Sequence, residues 1–200
     1  MTILSAINAV CDVVSLDRFD TVVGNTDPNA QTMLEFAQEA GEEIARRGDW
    51  SRMGKTVPVT NNPFPLPEDF QRLAAGGAVQ LQSGDFARQI TNESMWRVVQ
   101  SSSSEVPFFY LNGGRASFSP IGSSVSAQFF YVSKNWLKDG NNERSIITKD
   151  DNATQFPDRV LTKGIIWRWR RQKGLSFDDQ MAEFEADFAL ELAADRGDPQ

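Results

Sequence analysis

The chain has 200 residues, a net charge of −7 and a pI near 4.7, a balance that disfavours general adhesion to nucleic-acid phosphates or anionic membrane, both of which need clustered positive charge. It contains no histidine and one cysteine, which removes the commonest general base, the commonest transition-metal ligand, every histidine-activated nucleophile and any internal disulfide. No CxxC, GxxxxGK[ST] or GxGxxG pattern occurs, and no apolar run approaches the roughly 20 residues that cross a bilayer.

Residues Thr2–Leu16 read as a first helix, with Ile3, Leu4, Ile7, Val10, Cys11 and Val14 on one face. No basic leader precedes this stretch and Asp12 interrupts it, so a signal peptide is not expected. After a connector, Asp17–Thr26, comes the segment Asp27–Trp50. Asp27 can cap a helix and Pro28 suits its first position. Apolar residues recur at helical spacing from Met33 to Ile44, and Gly48 ends the run. A small-residue face, Ala37, Ala40, Gly41 and Ala45, suits close helix packing.

The character changes after Trp50. Met53–Thr60 has the β-branched content of a short strand, and Asn61–Pro67 reads as extended loop because of its prolines. Glu68–Leu73 is expected to form one helical turn. Strands are predicted at Ala78–Leu81, Trp96–Val99, Phe108–Leu111, Ala116–Pro120 and Ala127–Ser133, with Asn112-Gly113-Gly114 as a hairpin turn and Ser101–Ser104 as a connector. Lys138–Thr148 reads as a polar loop turning at Asp139-Gly140.

Helical signals return at Pro157 and run through Trp167 and Trp169 to Lys173, with Gly174 as the stop. Ser176 is expected to cap a last helix whose apolar face is Phe177, Met181, Phe184, Phe188 and Leu192. The tail Asp195–Gln200 is polar. The predicted fold is therefore α+β: an antiparallel four-helix bundle from the N- and C-terminal helices, with a small antiparallel β domain inserted. The expected boundaries are 1–52 for the first helical half, 53–150 for the β-rich insertion and 151–200 for the second half and tail.

Adjacent carboxylates, Glu42/Glu43, Asp150/Asp151 and Asp178/Asp179, do not make a two-carboxylate catalytic site by spacing, since neighbours on a helix diverge. The run Arg168, Arg170, Arg171 and Lys173, interleaved with Trp167 and Trp169, could bind single-stranded nucleic acid by stacking. The cluster lies in the last turns of a helix, where cations are favoured anyway, and a solvated or intersubunit face is the preferred reading. The Arg-Gly-Asp triplets at 47–49 and 196–198 are explained by helix termination. A carboxylate-based hydrolase of cell-wall polymer is the remaining class.

Several stretches together resemble tailed-phage head–tail adaptor proteins, also called head-to-tail joining or connector-completion proteins: SAINAVCDVVSL, VVGNTDPNAQTMLEFAQEAGEEIARRGDW, LPEDFQRL, NESMWRVV, FFYVSKNWL and LTKGIIWRWRRQKGLSFDD. They follow the family's order over nearly the whole chain, and the Gly/Ser-rich stretch Gly76–Ser104 departs most from it. The resemblance implies a non-enzymatic virion protein without cofactor, assembled in the host cytoplasm. It would dock as a ring of about 12 copies on the portal protein, extend the DNA channel without binding the packaged DNA specifically, and offer a surface to a tail or neck protein. Its portal and subunit contacts are then expected on the last two helices, at Trp167, Trp169, Arg170, Arg171, Phe184, Phe188, Leu192 and Arg196.

Overall fold

The computed structural model describes residues 2–102, 106–119 and 126–197. The chain is α+β and divides into two compact units, Met1–Met53 with Lys134–Gln200, and Gly54–Ser133. Residues 134–150 thus group with the helices and not with the β-rich insertion that the sequence reading extended to residue 150.

The helical unit contains α1 (Ile3–Val14), α2 (Pro28–Arg47) and two C-terminal helices, Asp158–Gln172 and Asp178–Arg196. Asp27 caps α2 as expected, accepting from the Asn29 and Ala30 amides, and Pro28 opens it. The hub is the Asp158–Gln172 helix, against which α1, α2 and the last helix all lie. Its Gly164 makes the closest approach. A Cβ there would sit 3.1 Å from Ala40 Cβ and 3.3 Å from the Phe184 ring, so the small face of α2 meets a backbone with no side chain in the way. The next residue of α2, Gly41, leaves room for the Trp136 ring, which a Cβ would overlap. Trp136 in turn stacks on Phe156 at 5.7 Å.

Polar side chains tie the remaining segments to this core by standing in for backbone partners. Gln38 donates to Ser145 O and accepts from the Ile147 amide. Asn8 does the same for both backbone groups of Phe19. Asp150 receives the Val22 and Val23 amides and the Thr21 hydroxyl. The expected loop at Lys138–Thr148 is partly regular: strands Leu137–Asp139 and Asn142–Arg144 form a hairpin, and Ala153–Thr154 pairs on the other edge. Gly140, at φ +60°, makes the turn.

The second unit holds two four-stranded sheets. One is built from β1 (Gly54–Val59), β8 (Ala127–Ser133), β3 (Phe70–Leu73) and β4 (Val79–Leu81), with β8 central. The other runs β2 (Phe64–Pro65), β7 (Arg115–Ser119), β6 (Phe108–Asn112), β5 (Arg88–Ile90). Val59, Val79, Phe109, Phe118, Phe129 and Tyr131, drawn from both sheets, share one core. The Gly113-Gly114 hairpin forms as read, both glycines having positive φ. Pro58 sits within β1 at no cost to the ladder. Phe130 directs its N–H to Ala78 and its C=O to Ala74, so by alternation Phe129 and Tyr131 bond β1, and Pro58 faces the open edge.

Four expectations need correction. Glu68–Leu73 is no helical turn: β3 pairs there with β8, and Asp69 accepts from the Tyr131 and Ser133 hydroxyls. Trp96–Val99 is no strand but part of α3 (Glu93–Ser101), capped by Asn92, because Trp96 and Val99 three residues apart share a buried helix face. The loop Asn61–Pro67 contains β2. The β unit is not wholly antiparallel, since β5 and β6 run parallel. Of the predicted Ser101–Ser104 connector, Ser101 ends α3 and Ser102 is its C-cap, while Ser103, Ser104 and Pro120 lie outside the described residues. With the other strands placed, β9 (Leu137–Asp139), β10 (Asn142–Arg144) and β11 (Ala153–Thr154) complete the sheets, and α4 (Asp158–Gln172) and α5 (Asp178–Arg196) the helices.

Gly41→Ala should lower stability by about 1–3 kcal/mol despite alanine's better helix propensity, because the Trp136 ring has to shift. Urea unfolding followed by tryptophan fluorescence should show a reduced midpoint with unchanged slope.

Candidate interaction surface

The predicted contact residues all fall on α4 and α5, and the structure sorts them into two groups. Trp167, Trp169, Phe184 and Phe188 are at most 8% exposed. Trp167 packs on Phe177 and Phe184, while Phe188 meets Trp50 edge-on at 5.9 Å. Their surface is spent inside the helical unit. Arg171 and Arg196 are exposed, and Arg170 and Leu192 half-buried. Arg170 Nε donates to Ser176 O at 2.7 Å, and Arg196 pairs with Asp49 at 3.5 Å. The second Arg-Gly-Asp triplet ends at Asp198, outside the described residues. Ser176 does not cap α5: Phe177 takes that position, with no side-chain cap.

Arg168, read as one of a solvated run, is 1% exposed. It is held by Glu43, by Gly164 O at 2.9 Å and by Glu39 at 3.4 Å, and lies over the Trp167 ring. The separation from Gly164 by one turn was a usable signal, because an arginine one turn past a helix-packing glycine is directed into the crossing. The neighbouring cations stay outside. Arg171 lies 4.9 Å from the Trp167 ring centre and Lys173 4.3 Å from that of Trp169, cation–π contacts that leave their charge without a carboxylate among the described residues.

Helix α5 is fastened largely by charge. Glu185 takes a two-point contact from Arg47, at 2.5 and 2.8 Å, and Arg47 also reaches Glu43. Asp187 pairs with Arg159 at 2.6 Å and Lys163 at 2.9 Å, and Lys163 also meets Glu183. Asp195 accepts from the Ser51 amide and hydroxyl. Hydrogen bonding from Arg47 pulls the Glu185 carboxyl below its ordinary value against the effect of burial. Burial pushes Asp187 up, but Lys163 and Arg159 outweigh it and leave it lowered.

A cavity of about 240 Å³ lined by Arg52, residues 154–158 and Asp195 lies below the roughly 300–1,000 Å³ of ligand pockets. Among the described residues no group of three His, Cys, Asp or Glu side chains could hold a metal, and no helix is long and apolar enough to cross a membrane.

Compared with known families, residues 1–200 match a family model described as SU10 adaptor protein. No curated protein matches the chain.

Because Glu185 and Asp187 are held below their ordinary values of 4.5 and 3.8, the stability they add is complete above those values and lost as pH falls through the lower folded ones. Amide exchange in α5 should therefore accelerate selectively as pH drops below about 4, after correction for intrinsic exchange. Unchanged protection there would refute the charge fastening. Glu43→Ala, which leaves buried Arg168 with Glu39 at 3.4 Å as its one remaining carboxylate among the described residues, should cost about 2–4 kcal/mol in the same unfolding assay.

Proposed function

Because the chain belongs to the SU10 adaptor family of phage head–tail adaptors, we propose that it docks as a ring of about 12 copies beneath the portal, extends the DNA channel and presents its far side to a tail or neck protein. The observation that carries this reading is the match of the family over residues 1–200. In it, α1, α2, α4 and α5 act as an antiparallel four-helix bundle. The pairing of Ala40 with Gly164 and of Trp50 with Phe156 supports opposite directions for α2 and α4. Segment Ser176–Gln200 and the end of α4 carry the portal and subunit contacts between them, with Arg170, Arg171, Leu192 and Arg196 at the contact surface. Trp167, Trp169, Phe184 and Phe188 hold the helices behind it.

The role is structural and needs no cofactor. A subunit of charge −7, repeated around a ring, repels the DNA backbone and lets packaged DNA slide through without adhesion. The single-strand-binding alternative requires open aromatic faces, and both tryptophans of α4 are buried. Assembly takes place in the host cytoplasm and the finished protein sits at the head–tail junction of the virion.

Mixing the folded protein with its portal and imaging by electron microscopy should show a second ring stacked coaxially beneath the first. Free portals beside unbound protein would overturn the reading. Truncation after Gly174 should abolish attachment, and retained attachment would remove α5 from the portal contact.

A further inference from the structure

Helix α5 is charged on the wrong side for a solvated helix. It carries seven carboxylates and one arginine, yet Glu183, Glu185 and Asp187 are directed to cations of α2 and α4. Beyond Asp179 in the first turn, the strip opposite buried Phe184 and Phe188 is instead uncharged: Ala182, Ala186, Ala189 and Leu190 are exposed, Leu190 by 49%. An amphipathic surface helix puts charge on that strip. Here helical spacing places Asp178 and Glu185 along one flank of it, Glu183 along the other, and Asp179 at its N-terminal end.

We propose that this outward strip of α5 is the seat of a second copy of this chain, which docks through its basic α4–α5 turn: Arg171, Lys173 and Leu175. The inference rests on the ring reading above. Charge selects the occupant. Two α5 strips laid together would set acidic flank against acidic flank, so an isologous pair is disfavoured. The turn offers the complement: two cations without a carboxylate among the described residues, beside Leu175, which is 51% exposed. Strip to turn is a heterologous contact, the kind that propagates and closes into a ring.

Area sets its strength. A helix of 19 residues is about 28 Å long, and a strip about 10 Å wide buries about 300 Å² a side, well under the roughly 800 Å² per partner of a stable interface. The contact therefore forms only where the portal holds copies side by side at high effective concentration, and the free chain stays unpaired through this face.

The test uses full-length chain on its portal under mild oxidation. Native Cys11 is fully buried, so introduced surface thiols report alone. Ala186→Cys with Leu175→Cys should give a ladder of cross-linked oligomers, and each single variant none. Cross-linked dimers from Ala186→Cys alone, or no ladder from the double variant on portals that visibly carry the ring, would overturn the contact. Absence of a ring with the unmodified chain would overturn the adaptor reading first, and this contact with it. Arg171→Glu with Lys173→Glu should cut ring occupancy by about tenfold, and adding Asp178→Lys with Asp179→Lys should restore it. Failure of that charge swap to restore assembly counts against the proposal.

Discussion

The helical unit depends on how near α4 comes to α2. Gly164 and the Ala40 turn let the two backbones meet, and that closeness determines where everything bulky must go. Arg168, one turn along, cannot reach solvent past the crossing. It folds back onto the Gly164 carbonyl and across to Glu43. A buried charge so placed is costly to desolvate and costlier still to leave unpaired, so it penalises any register of the two helices other than this one. The aromatic side chains fill the space the small residues leave, Trp136 over Gly41 and Trp50 against Phe156 and Phe188.

The last helix follows different physics. Two phenylalanines anchor it, and its other attachments are ion pairs and the Asp195–Ser51 hydrogen bonds, at partly exposed positions and each weaker than a buried apolar contact. Carboxylates recruited to those pairs are no longer available to the outer surface, which is left apolar and small. A helix that is fastened by charge on its inner side and bare on its outer side belongs to a protein whose work is contact with neighbours. The β unit answers to a separate core, in which the two sheets supply phenylalanines to one another. Its longest open edge ends in Pro58, which removes a donor from the side where an uninvited strand would pair.

Where local chemistry decides, the sequence could be read directly. Asp27-Pro28 started α2 and Gly174 ended α4 as read, and the double glycine made its hairpin, because caps and turns are satisfied within a few residues. The misreadings came where periods are short. Trp96 and Val99 fit a strand by type, and the cap at Asn92 that makes them a helix face lay just upstream of the window. The Glu68–Leu73 segment had a helical start, and only the distant partner β8 makes it a strand. Burial was the harder question. Only the one-turn spacing from Gly164 separates Arg168 from Arg171, though one is enclosed in the unit and the other lies open.

By itself, then, the amino-acid order determined the α+β class, the start of α2, the end of α4 and the family order of its segments, all carried by local preferences and spacing. Tertiary structure decided which residues of the Trp/Arg run face inward, which strands pair with β8 and what remains outside on α5. Those are questions of long-range contact, and a contact between residues 43 and 168 exists only once the chain has closed the loop between them.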